Sequence, residues 1–283
     1  MPVIDPVRLK NRKGINCPLW TENKALLIQE YIKLFTYITK HGAYIDGFAA
    51  PQRRNHAEKC SAKLVLENQP QRIRDFWLCD IDTDGIALLE EIKAKYLTKG
   101  TRIDVIPGDF NLTVNKILAS GRIKEKTAPF ALLDQRTFEC EWATVQKLAA
   151  HKKDRKIEIF YFFPTGWIDR SIAAIKTPEK IDIAERWWGR PDWRDLKGIN
   201  GVERATMLAT RFRDDLGYKW AHPYAIHDAR YKGRTMYHMV HATDHDEAPT
   251  LMLRAYRKVS GRTDYDRVLE QTDLEDLLRQ VVE

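Results

Sequence analysis

The sequence predicts an α/β protein built on one doubly wound, mostly parallel sheet, and two patterns carry that prediction. Short apolar runs alternate with amphipathic stretches up to residue 163, and the runs are apolar throughout rather than at every second position. A strand apolar on both sides is a strand covered on both sides, which is how parallel sheets are built. Nearer the C-terminus, two strand-like runs are joined by so short a connection that they must form an antiparallel hairpin.

The elements follow in order. After Trp20-Thr21, residues Leu26, Leu27, Tyr31, Leu34, Phe35 and Ile38 recur at helical spacing, with Thr21 placed to cap the first turn. Ala43 to Pro51 holds a short apolar strand ending in an acid, a glycine and a proline, Asp46, Gly47 and Pro51. Ser61 is expected to cap a helix holding Leu64, Val65 and Leu66, and Phe76 to Cys79 forms a second buried strand ending in Asp80. A helix over 84–97, a strand over Ile103–Ile106, a helix over Leu112–Leu118 and a strand over Phe130–Leu133 continue the alternation. Trp142–Ala150 is helical and Ile157–Phe163 is the fifth strand. The pattern breaks at residue 164, where a Trp- and Arg-rich insertion over 164–201 precedes a helix near Val202–Leu216. Strands over Tyr218–Ile226 and Thr235–Ala242 form the hairpin, and helical patterns over 246–259 and 265–282 close the chain.

Five alternating strands followed by a hairpin is the strand inventory of Rossmann-type methyltransferases, whose last strand inserts antiparallel. With right-handed crossovers the expected organisation is a single methyltransferase-like domain over 1–283. Its 43% hydrophobic and 31% charged residues are those of an ordinary globular protein. No apolar stretch approaches the ~20 residues that cross a bilayer, and the basic N-terminus lacks the apolar core of a secretory signal, so a cytoplasmic protein is expected. Cys17, Cys60, Cys79 and Cys140 are far apart and form no paired motif, which signals neither a disulfide framework nor a zinc site.

The net charge is +7, and residues 1–75 hold thirteen Lys/Arg against seven Asp/Glu, so nearly all the excess is N-terminal. Such a bias suits a polyanion, and nucleic acid is the expected partner.

In a doubly wound sheet a ligand binds beyond the carboxyl ends of the strands, at the point where strand order reverses. Four strand ends carry acids or glycines: Asp46-Gly47, Asp80-Ile81-Asp82, Gly108-Asp109 and Asp134-Gln135-Arg136. This placement suits S-adenosylmethionine, with Gly47 admitting the methionine part, Asp80 accepting from the ribose hydroxyls and Asp109 from the adenine amine. Ala50 and Gln52 add side chains where this class of site has glycines, which predicts weak, altered or absent binding.

Asp46-Gly47-Phe48-Ala49, the run Leu133 to Cys140, Glu158 to Phe162 with Gly166-Trp167, and Met236-Tyr237-His238 with Ala242 to His245 resemble the three-Cys-motif partner proteins over nearly the whole chain. The resemblance implies a methyltransferase-like fold, a gene beside that of a three-cysteine-motif protein similar to radical S-adenosylmethionine enzymes, and association with mobile elements. It implies no settled reaction.

At the fourth strand end, Asp134, Gln135 and Arg136 stand where amino-methyltransferases place the residues that meet the target amine. Asp134 can accept from an amine, and Arg136 suits a phosphate. The bland alternative is an Arg136–Asp134 pair pinning the loop. Trp167, Trp187, Trp188 and Trp193, interleaved with Arg186, Arg190 and Arg194, are candidates to stack bases and hold phosphates, with at least two of the tryptophans expected in the core. The hairpin loop adds Arg230, Lys232 and Arg234 on the same rim. His238, His241, Asp244 and His245 suggest a metal, but His238 and His241 fall on opposite faces of a strand, and no metal site is assigned. Two functions remain open: a methyltransferase acting on nucleic acid or a nucleotide, and a catalytically silent accessory subunit that binds nucleic acid or the three-cysteine protein.

Overall fold

The computed structural model describes residues 19–51, 60–227 and 235–260. Seven strands form one sheet: β1 (Gly42–Asp46), β2 (Ile73–Asp80), β3 (Arg102–Pro107), β4 (Pro129–Leu133), β5 (Glu158–Phe163), β6 (Trp220–His227) and β7 (Thr235–Thr243). Their spatial order is β3-β2-β1-β4-β5-β7-β6. β1 to β5 are parallel, and β7 runs antiparallel to both β5 and β6. An order that reverses between β1 and β4, with one antiparallel strand wedged between β5 and β6, is the Rossmann-like methyltransferase arrangement.

The apolar character of the strands has the expected cause. Within β1, Ala43 and Ile45 face one core while Tyr44 faces the other, and in β4 Ala131 and Leu133 alternate with Phe130 and Leu132 in the same way. One core is covered by α4 (Phe110–Leu118), α5 (Trp142–Ala150), α7 (Pro178–Trp188) and α8 (Gly201–Asp214). The other is covered by α1 (Leu19–Thr39), α2 (Ser61–Leu66), α3 (Thr83–Tyr96) and α9 (Ala248–Ser260). None of these helices is long and apolar enough to cross a membrane, among the described residues.

One expectation about a helix end is corrected. Ser61 is the first residue of α2 rather than its cap, and the cap position falls to Cys60, whose side chain makes no capping bond. The insertion is folded: α6 (Ile168–Ala173), α7 and a 3-10 turn (Pro191–Leu196) pack on the sheet. Arg204 of α8 pins this segment, donating to the carbonyls of Leu196 at 2.7 Å and Thr165 at 3.0 Å and pairing with Asp169. Arg211 lies between the rings of Trp142 and Trp188, 4.0 and 4.4 Å from their centroids. The residues considered for a metal serve the fold instead. His238 bonds to the Thr165 hydroxyl at 2.7 Å, and His241 bonds at 2.7 Å to the buried Glu158, which also accepts from Tyr31 and Thr243. Asp244 accepts from the backbone of Lys156 and Lys219 at the opposite end of the sheet from the strand ends considered below.

Candidate active site

A cavity of about 630 Å³ opens at the carboxyl ends of β1 to β4. Asp46 to Pro51 after β1, Asp80 to Asp82 after β2, Gly108 to Asn111 after β3 and the 134–141 loop after β4 all contribute to its walls. The switch point between β1 and β4 therefore lies beneath it, where an open α/β sheet binds its ligand.

Backbone bonds tie these loops together. Asp80 accepts from Ala50 N–H at 2.8 Å and Asp82 N–H at 3.0 Å, so one carboxylate joins the first loop to the second. Gly108, at φ 127°, donates to the Asp80 carbonyl at 2.8 Å in a conformation that disfavours any side chain. Asp109 caps α4, accepting from both nitrogens of Asn111 at 2.9 Å. Gly47 is required by packing as well as by any ligand, because a Cβ there would lie 2.8 Å from the Phe110 ring. The Ala50 methyl packs toward α3 at Gly85, where an added Cβ would approach it to 2.3 Å. The missing glycine of the first loop is thus matched by a glycine on the neighbouring helix.

The floor is charged. Asp46 is 1% exposed and accepts from the Tyr44 hydroxyl at 3.0 Å. Burial, and then the like charge of Asp134, push its carboxyl up to about 7. Asp134 is paired with Lys24 of α1, not with Arg136. Burial pushes the Asp134 carboxyl up, and the Lys24 ammonium draws it part of the way back. Among the described residues, seven carboxyl groups stand around the cavity, those of Asp46, Asp80, Asp82, Asp109, Asp134, Glu139 and Glu141, against Lys24, Arg136 and Arg186. Such a cleft favours a cationic ligand.

The predicted site residues separate here. Asp46, Gly47, Asp80, Gly108, Asp109, Asp134 and Arg136 come together around the cavity. Gln135 does not: it is 1% exposed, its Oε1 accepts from Glu139 and Cys140 N–H at 2.9 Å, and its amide reaches the Phe162 carbonyl. It holds the loop rather than a substrate. Trp193, with Trp187 and Trp188, lies in the core at 1–2% exposure, so none of the three rings has a face free to stack on a base. Trp167 is half-buried against Phe162 and Tyr237. Arg190 is committed to Asp215 at 2.6 Å, away from the cavity lining. Arg230, Lys232, Arg234 and Gln52 lie outside the described residues.

Two contributors, Lys24 and Ile183, are absent from the sequence reading. Lys24 sits one helical turn before Leu27 and Ile28 on a buried stripe, and a lysine on such a stripe is the signal that would have found it. Ile183 and Arg186 of α7 line the cavity, so the insertion reaches the site through this helix and not through its tryptophans.

No protein-family model and no curated protein sequence matches the chain. Among solved structures it is similar to Trm5b from Pyrococcus abyssi, at 16% identity and a TM-score of 0.36, over 75% of this chain and 47% of the other. It therefore spans about half the length of that protein. M. jannaschii TYW2, in complex with AdoMet, is similar over 84% of this chain and 80% of its own, at 14% identity and a TM-score of 0.40. A DUF574 family protein from Streptomyces avermitilis MA-4680 is similar over 78% and 83% respectively, at 12% identity and a TM-score of 0.47. Similarity at this level adds nothing residue by residue, and the methyltransferase-type fold rests on the strand order.

Proposed function

We propose that the chain is an S-adenosylmethionine-dependent methyltransferase whose acceptor is a nucleic acid or nucleotide. The observation that carries this reading is the acidic cleft over the β1/β4 switch point of a methyltransferase-type sheet. S-adenosylmethionine is a cation joined to a flat purine, and the residues fit both parts. The carboxyl groups of the floor suit the positive charge. Ile81, 74% exposed on the cavity wall, offers an apolar face to a ring, and Asp109 stands nearby to accept from an amine. Each Asp80 oxygen already takes one backbone bond and retains a second lone pair for a hydroxyl. When bound, the cofactor supplies an activated methyl group. Asp134 faces the cleft from the end of β4 as the acceptor-side residue, and exposed Arg136 suits a phosphate that stays outside the acidic interior.

A thermal-shift series tests this reading. A ligand that binds only the folded state raises the melting temperature with its concentration, and S-adenosylmethionine should do so for the wild type and far less for Asp80→Ala. An unchanged melting temperature up to millimolar ligand would remove the enzyme reading. The nucleic-acid part is tested by salt: affinity should fall steeply, and Arg230→Ala with Lys232→Ala should reduce the slope by up to about two units.

A specific observation favours a second reading, a silent accessory subunit working with nucleic acid or with a three-cysteine-motif protein. Asp80, Asp109 and Asp134 each have a structural partner already. On this reading the chain co-purifies with its three-cysteine partner and the cleft takes no cofactor.

A further inference from the structure

A buried ammonium is costly to desolvate, and Lys24 is 3% exposed. It belongs to the stripe of α1 that carries Leu27, Ile28, Tyr31 and Phe35 into the core, where an aliphatic side chain would pack without that cost. Stability alone gives no reason for a lysine here. Its charge is met by Asp134 and by the rings of Phe162 and Tyr237, whose centroids lie 5.8 and 5.7 Å from Nζ. The pair is also not sealed away, since both partners line the cleft together with Asp46. The other two cations of the lining among the described residues, Arg136 and Arg186, are exposed to solvent, so Lys24 is the one buried cation among the described residues that a ligand meets there.

Building on the cofactor reading above, we propose that Lys24 tempers the charge selectivity of the cleft: its ammonium occupies Asp134 and opposes the positive charge of S-adenosylmethionine, so that the acidic floor favours this cation over the neutral thioether S-adenosylhomocysteine less than its carboxyl groups alone would. The two ligands share their adenosine and amino-acid parts, and contacts to those parts cancel in the ratio of their affinities. What remains is the interaction of one positive charge with the fixed charges of the floor. In a partly desolvated cleft that interaction is much stronger than in water.

Calorimetric titration of both ligands, and of sinefungin, which carries an amine in place of the methylsulfonium, tests this. The wild-type ratio of the two affinities is the reference. Lys24→Met should shift the ratio toward S-adenosylmethionine by about tenfold or more, equivalent to ~1.4 kcal/mol, and Lys24→Arg should keep the wild-type ratio. Asp134→Asn should shift it the other way. The double variant removes a pair that is neutral overall, so its ratio should return close to that of the wild type, and it also spares the fold an unpaired carboxyl group. Sinefungin should follow S-adenosylmethionine throughout. Heat from both ligands with a ratio that Lys24→Met does not move would overturn the inference while leaving the cofactor site standing. Silence from every ligand with every variant would overturn the cofactor site and the inference together.

Discussion

The Lys24 ammonium, on the first helix, is paired with the Asp134 carboxylate 110 residues later, and the pair fixes that helix to the carboxyl end of β4. Removing one member leaves a largely buried charge without its partner. Lys24→Ala or Asp134→Ala alone should cost about 2–4 kcal/mol, somewhat below the usual figure for a fully buried pair because Asp134 keeps some solvent contact. Thermal unfolding of both single variants and the double variant checks this, and the double should recover part of the loss.

Asp46 carries a pH dependence of defined sign. Its carboxyl is raised from 3.8 to about 7, so the folded state holds the proton more tightly than the unfolded chain does. The stability this supplies is fully present below about pH 4 and is lost as pH rises through about 7. Asp46→Asn has no such proton to lose and keeps an oxygen for the Tyr44 hydroxyl. Relative to the variant, the wild type should lose on the order of a few kcal/mol between about pH 5 and about pH 8, read from melts at each pH.

Asp80 should show a double effect. Asp80→Ala abolishes the bonds to Ala50 and Asp82 N–H, which should lower stability by about 1–3 kcal/mol. It should also weaken S-adenosylmethionine by about 1.5–3 kcal/mol if the carboxylate meets the ligand's hydroxyl groups. Chemical denaturation separates the first effect from the second. A variant that loses stability but binds normally would restrict Asp80 to joining the two loops.

Trp193 and Arg136 should behave in opposite ways. Trp193→Ala removes a core ring and should cost about 3–5 kcal/mol, with no change in the salt dependence of nucleic-acid binding. Arg136 is exposed, so Arg136→Ala should move stability by less than about 0.5 kcal/mol and lower the salt slope by about one unit. Unfolding curves and salt titrations on the same two proteins decide between the assignments.

The sheet was legible in the sequence because its strands are apolar on both sides, as Phe130 to Leu133 illustrates, and because the β6–β7 connection is too short for anything but a hairpin. The strand-end acids were legible for a related reason: a polar residue that ends an apolar run emerges from the core, and Asp46, Asp80 and Asp134 all do so at the cleft. Side-chain direction was not legible. Gln135 follows Asp134 and reads as its partner at the rim, yet its amide satisfies N–H groups of its own loop. For the tryptophans around residue 190 the sequence predicts at least two in the core without saying which, and Trp187, Trp188 and Trp193 fill it while only Ile183 and Arg186 of that segment turn to the cavity. Lys24 was overlooked because the partner that gives it meaning is 110 positions away.

The central claim is that the cleft over the β1/β4 switch point binds S-adenosylmethionine, and equilibrium dialysis of the labelled cofactor against the wild-type protein at neutral pH tests it most directly. Saturable retention at a single site per chain, displaced by S-adenosylhomocysteine and diminished by Asp80→Ala, is the expected result. No retention at millimolar cofactor, or retention that Asp80→Ala leaves untouched, would contradict it.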